Sequence, residues 1–484
     1  MSAPLKIIPA PPDSTPRRAV DVSGGTRLFR AFWRWHFYAS FVVVPILLML
    51  AVTGATYLLR FQIEPVLHAD LMTAEPGAGQ SLRQPYEAQR LAVERAYPDR
   101  TLISMTEPRG EGHSTVFSTE TPAGSSRDVF VDPWSGQVLG ELNPDTTVSG
   151  AAVLLHAELM AGRWGDYLIE LGASWAIVMT ITGYYLFLRG RAARLRTRSV
   201  RARGAVLRNR HAVIGAVAGT GLLFLVVSGL PWTALWGEGA EAIAAGKGSS
   251  FWGEDPGALS DPTSTLDESL PHRHGAIPWG QQDSPVPTSD PATAGAGTGG
   301  TGAGPVATVD TAVEVADAQG LRHPMTVALP ADAEGVFSVL GFAFDAPTEE
   351  RTVHVDQYGG HVVSTYGYAD YPELAKLVSH GIALHEGRHF GTLNLLASLA
   401  FCLGILFLCI TGPLMWWRRR PRGAGTIGAP RGKMPLRSTP LLAVGIVALG
   451  VFLPLFGLSL LVILAFDQCV VRRLPRLQHW FATA

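Results

Sequence analysis

The sequence predicts an α-helical integral membrane protein. Its plan is one unit used twice, namely a transmembrane helix, an α+β outer domain and a second transmembrane helix, followed by a C-terminal hydrophobic segment. Three observations predict it. Four apolar runs, within residues 32–60, 148–188, 211–236 and 379–417, reach the roughly 20 residues needed to cross a hydrocarbon core. Histidines recur around these runs at fixed spacings. Arginines cluster at alternate ends of them.

The spacings argue for an internal duplication. Thr53-Gly54 follows His36 at the same interval at which Ser228-Gly229 follows His211. A second, longer interval separates His156 from Thr182-Gly183, and it recurs unchanged between His385 and Thr411-Gly412. Between the runs of each half stands a matched hairpin pattern, VFVDPWSGQVLG from Val129 and VHVDQYGGHVVS from Val353. Both alternate apolar and polar residues around a turn containing Asp and Gly.

Taken in order, residues 1–31 form a cytoplasmic tail, Pro/Ser-rich and disordered over 1–26. The first span covers 32–60, too long for a signal peptide and without a small-residue cleavage site. Residues 65–147 form the first outer domain, with helical periodicity in YEAQRLAVERAY and several short strands after it. An amphipathic segment and the second span fill 148–188, and a basic loop fills 189–210. The third span is 211–236. The second outer domain is 237–378, interrupted at 255–304 by a Pro/Gly/Ser/Thr-rich stretch that reads as a flexible insertion with no core. A His-rich segment and the fourth span occupy 379–417, and a second basic loop follows at 418–438. The apolar run 439–466, with Pro454 and Gly457 near its middle, is a kinked fifth span or a re-entrant hairpin, leaving the side of the 467–484 tail open.

Lys plus Arg (39) nearly balance Asp plus Glu (40), so net charge says little and its distribution says more. Nine arginines lie between Arg189 and Arg210; others precede the first span or follow the fourth. All belong on the cytoplasmic side only if the soluble segments face outward. Such clusters flank spans and imply membrane lipid as a partner, with no nucleic acid. Cys402 and Cys409 sit in the fourth span and Cys469 beyond the fifth run, so the outer domains contain no disulfide framework or CxxC redox site. The stretch GTGGTGAG (297–304) follows no strand and opens no helix, which makes it linker and not a phosphate loop. No dinucleotide fingerprint, nucleophile elbow or HExxH motif is present. A transporter is disfavoured because Glu170 is the one acid within the spans.

The histidines remain. One interfacial histidine caps a helix or meets headgroups as readily as it binds anything, but four at duplicated positions point to ligation. Neutral imidazole is an axial ligand of haem iron, and an apolar bundle can enclose the flat macrocycle. The spacing brings His36 and His211 together near the cytoplasmic face, and His156 and His385 together near the outer face. That gives two haem b groups with these four histidines as axial iron ligands, and His380 or His389 as alternates to His385.

The WH/RH openings at His36 and His211, the LH motifs at His156 and His385, the TG/SG dipeptides, the VxVDxxxGxV hairpins and the final PLFGLSLLVILAFD resemble the PepSY-associated transmembrane proteins. The resemblance covers nearly the whole chain apart from positions 1–26 and the insertion, and it makes the outer domains PepSY-like. It implies a haem-containing protein of the bacterial cytoplasmic membrane that reduces a ferric siderophore or other ferric chelate on the outer side. The chain has no flavin or nicotinamide domain, so electrons would come from quinol or a cytoplasmic reductase. The competing expectation is a non-catalytic anchor whose PepSY modules bind a peptide or protease.

Overall fold

The computed structural model describes residues 24–79, 81–191, 204–239, 264–270, 277–278, 281, 284–290, 307–341, 345–371, 373–420, 426–427 and 439–481. The expected disordered N-terminal region, the centre of the 189–210 loop and most of the 418–438 loop lie outside these residues.

Five helices are long and apolar enough to cross a membrane. Four of them, α1 (Gly24–Leu58), α4 (Arg163–Arg189), α5 (Ala205–Gly229) and α8 (Thr392–Arg419), form a ring. In it α1 packs on α4 and α8, and α5 packs on the same two neighbours. Their shared interior holds Val43, Leu47, Ala176, Leu222, Ile405 and Cys409. Helix α1 starts before residue 32 because its basic turns, Arg27 to Arg34, continue the helix past the apolar stretch.

A sheet domain and the helices that join it to the ring follow. They are α2 (Tyr86–Ala96), α3 (Val148–Glu158), α6 (Val309–Ala318), α7 (Glu373–His385) and eight strands. Strands β1 (Thr101–Thr106), β2 (Thr115–Glu120), β3 (Ser126–Val131) and β4 (Val138–Leu142) come from the first half. Strands β5 (Thr326–Ala328), β6 (Val336–Leu340), β7 (Arg351–Asp356) and β8 (Val362–Gly367) come from the second. They do not make two separate sheets. One antiparallel sheet runs β8-β7-β6-β5-β1-β2-β3-β4, joined at its centre by Ser104↔Ala328, Met105↔Val327 and Thr106↔Thr326.

One apolar core serves both halves, with Met105, Phe117, Val129, Val327, Val339 and Val353 of the sheet under Val93 of α2 and Val309, Ala312 and Val313 of α6. The two helices cap each other. The Asp310 carboxylate accepts from the backbone N–H of Tyr86 and Glu87 at 2.8 Å each, and Glu87 accepts from Val309 N–H at 3.5 Å. Acids at these N-termini satisfy otherwise orphaned donors and complement the helix dipoles.

The expectation of a coreless insertion at 255–304 is corrected for its described part. Leu266, Leu270, Ile277 and Val286 are buried against Ala328, Val336 and Leu340 on the second face of the sheet. All five residues of β6 are buried, so its second face needs a cover, and the insertion supplies it. Four aliphatic residues spread over a Pro/Ser-rich stretch leave no period to read.

The 439–466 run is broken at Leu453–Pro454 into α9 (Pro440–Phe452) and α10 (Pro454–Cys469). A Cβ on Gly457 would lie 2.4 Å from the Gly450 carbonyl oxygen, whereas an unbroken helix would separate the two by about 10 Å. The run is therefore a hairpin, with Leu453 and Phe456 buried at its apex against Trp175 of α4. The final helix α11 (Pro475–Trp480) returns to the basic end of the bundle, where the Phe481 carbonyl accepts from Arg34 at 2.8 Å and from Tyr38 at 3.0 Å.

Candidate functional site

Each of the four histidines meets a hydroxyl of a TG or SG dipeptide through Nδ1. The distances are 3.2 Å for His36 and Thr182, 2.9 Å for His156 and Thr53, 2.8 Å for His211 and Thr411, and 2.9 Å for His385 and Ser228. The direction of these bonds follows from the hydroxyls. Each already donates its proton one turn back along its own helix, to the carbonyl of Met49, Val178, Phe224 or Phe407, at 2.7–2.9 Å. A hydroxyl so engaged can only accept, so each imidazole donates from Nδ1. His36 Nδ1 also donates to the Met179 carbonyl at 2.9 Å. All four rings are thereby held as the Nδ1–H tautomer, with the Nε2 lone pair open.

The glycine after each hydroxyl provides room for the ring. A Cβ at Gly54, Gly183, Gly229 or Gly412 would lie 3.4, 3.2, 3.5 or 3.8 Å from Cε1 of His156, His36, His385 or His211. At Gly183 such a Cβ would be tighter than ordinary van der Waals contact. The two repeated intervals thus mark the ends of a contact pattern, and α1 and α5 each carry a histidine at one end and a hydroxyl-glycine pair at the other.

The structure brings His156 and His385 together across the bundle, with ring centroids 6.4 Å apart and ring planes at 87°. They line one cavity of about 580 Å³ with Gly54, Gly229, Trp232, Cys402 and Arg388. That volume falls in the range of roughly 300–1,000 Å³ usual for cofactor and small-molecule sites. Two metal–imidazole bonds of about 2 Å, plus about 1.2 Å from each Nε2 to its ring centre, give opposed ligands a centroid separation of about 6.4 Å. His36 lies on α1 and His211 on α5, both toward the basic end of the bundle.

Loops and caps position His156 and His385. Helix α3 ends in His156's turn and is held at its start by Thr147 Oγ1, accepting from Gly150 N–H at 3.0 Å, and by Glu64, accepting from Ser149 N–H at 2.6 Å. Gly162 and Gly391, with φ of 57° and 55°, precede α4 and α8 and turn the chain from the histidine segments into the spans. Helix α7 is tied to the sheet domain by Ser379 donating to Glu350 at 2.5 Å. Glu350 lines the same cavity, and burial pushes its carboxyl up to about 7.

His380 and His389 are placed elsewhere, in contact with each other and, through His380, with Tyr368. Sequence reasoning missed the caps Glu64 and Glu170. Glu170, the intramembrane acid, accepts from the Leu235 and Trp236 N–H groups at 2.9 and 3.2 Å and so caps a chain turn instead of lining a pathway. Among the described residues no group of three or more His, Cys, Asp or Glu is arranged to hold a metal ion.

A family model described as the PepSY-associated TM region matches residues 33–419. The chain belongs to the PepSY-associated transmembrane family. No curated protein matches it. The PepSY-associated region opens just before His36 and closes at the end of α8, so it contains both histidine pairs, all four hydroxyl-glycine dipeptides and the sheet, and leaves out the α9–α10 hairpin. The family and the five candidate spans make this a multi-pass membrane protein.

Proposed function

We propose that the protein is a transmembrane electron conduit that holds two haem b groups and reduces a ferric chelate, such as a ferric siderophore, on the outer side of the bacterial cytoplasmic membrane. The observation that carries this reading is the set of four imidazoles held as Nδ1–H tautomers, two of which, His156 and His385, meet across one cavity. The residues fit the group. His156 and His385 would hold the outer haem and His36 and His211 the inner one. Two imidazoles per site suffice because the macrocycle brings its own equatorial donors. Gly54 and Gly229 leave space beside the outer rings, and Arg388, paired with Glu386 at 2.7 Å, stands at the cavity wall.

When bound, the group supplies reversible one-electron chemistry. The protein's part is to keep each Nδ1 proton on its hydroxyl acceptor and to exclude water with the apolar faces of α1, α4, α5 and α8. Reduction of Fe(III) to Fe(II) weakens its hold on hard oxygen donors, so release needs no bond-making side chain. Quinol or a separate cytoplasmic reductase would supply the electrons. In this reading the two halves are repeats of one helix–domain–helix unit, with the arginine-rich ends in the cytoplasm and the sheet outside.

A reduced-minus-oxidised absorption spectrum of the purified protein tests the proposal. The expected result is a bis-histidine α-band and two haems per chain. A chain without the band would instead be a membrane anchor for peptide- or protease-binding PepSY modules. A reporter active only outside the cytoplasm should work when fused near Gly140 and fail after Arg203; the opposite pattern would overturn the orientation.

A further inference from the structure

The second histidine cluster is a site of its own. Tyr368 lies in the short turn after β8, His380 in the middle of α7, and His389 in the loop between α7 and α8. Tyr368 Oη is 3.0 Å from His380 Nε2, and the rings of His380 and His389 are 5.0 Å apart at 67°. Nδ1 of His389 is buried without a hydrogen-bond partner among the described residues.

We propose that Tyr368, His380 and His389 form a binding site for an imidazole-seeking first-row divalent cation. Two donors bound at a tetrahedral angle on such an ion at about 2.0–2.1 Å each are separated by about 3.3 Å, a few tenths of an ångström more than the Tyr368–His380 spacing of 3.0 Å. Two imidazoles at a tetrahedral angle on one ion have ring centres about 5 Å apart, which is the His380–His389 spacing. A phenol oxygen with two imidazoles suits iron, cobalt, zinc or copper and not magnesium or calcium, which prefer all-oxygen sites. Lys376, 5.8 Å from the Tyr368 ring centre, pairs with Glu373 at 3.2 Å on the exposed side of α7. His380 lies on α7 ahead of His385 by a rise of about 7.5 Å, so the site stands just above the outer pair without sharing a ligand with it.

Titration of the full-length protein in detergent with cobalt(II), followed by calorimetry with magnesium in excess, tests the site. One saturable cobalt ion per chain is expected at this site. His380→Ala and His389→Ala should each weaken binding at least tenfold. Tyr368→Phe, which keeps the ring packing, should weaken it several-fold. Haem content, read from the absorption spectrum, should stay at the wild-type value in all three, separating this proposal from the axial-ligand assignment. Wild-type cobalt binding in His380→Ala and His389→Ala, or wild-type binding in Tyr368→Phe, would make the binding adventitious and overturn the site. Loss of a haem in His380→Ala would also overturn it, returning that residue to the bundle.

Discussion

The two imidazole pairs use one contact pattern on different supports. His36 and His211 sit within long spans, so their positions are set by how α1 packs on α4 and α5 on α8. His156 and His385 sit near the ends of short helices outside the spans, and their positions depend on caps, a glycine turn and a tie to the sheet. His36 and His211 inherit their geometry from the bundle; the placement of His156 and His385 has to be built. A built site can be adjusted without disturbing the membrane core, and it is also the easier one to damage.

The largest test of that contrast is loss of a ligand. His156→Ala or His385→Ala should remove one haem of two and leave the inner one; His36→Ala or His211→Ala should do the reverse. Electron delivery to an external ferric chelate should stop in all four variants. Retention of both haems in His385→Ala would sink the pairing. Next come the hydroxyls, since partners of a ligating histidine typically affect affinity by about 10–100-fold. Thr53→Val and Ser228→Ala should weaken outer haem retention within that range, measured by transfer to an acceptor protein. Thr182→Val should cost less, because His36 keeps the Met179 carbonyl as a second acceptor.

Glu350 is a test confined to the outer side. Its carboxyl titrates near 7 in the folded protein against an ordinary value of 4.5, so the folded state binds the extra proton. Its contribution to stability is present below about pH 4.5 and lost as pH rises through about 7, a change of roughly 3 kcal/mol. Glu350→Gln should flatten the decline in thermal stability of the sheet domain between about pH 4.5 and 7; an unchanged decline would remove Glu350 from that role. The smallest effect is expected for Thr147→Ala, which removes the α3 cap at a cost of about 1 kcal/mol. It should lower outer haem retention slightly and leave the inner pair untouched.

Much of this was readable from the chain. The spans follow from uninterrupted apolar length, and the spacings place His36, His156, His211 and His385 because a helix converts residue count directly into distance. What the spacings could not convey was that the residues at their two ends belong to different sites, since Thr53 serves His156 while His36 is served by Thr182. The covering role of Leu266, Leu270, Ile277 and Val286 was invisible because it depends on a neighbour, the doubly buried β6, and not on any period of its own. The choice among His380, His385 and His389 was equally hidden. All three are near α7, and only the fold shows that the His385 ring meets His156.

The seam between β1 and β5 has a further consequence. It is a ladder of three residue pairs, antiparallel and centred on Met105 and Val327, with matching strands meeting edge to edge. As a contact between separate chains it would be too short to hold. Within one polypeptide the partners are kept at high effective concentration, so little pairing is needed. Cutting the chain between residues 192 and 203 would return the seam to a bimolecular equilibrium. Each fragment would then carry one imidazole of each pair, and both sites would depend on fragment concentration.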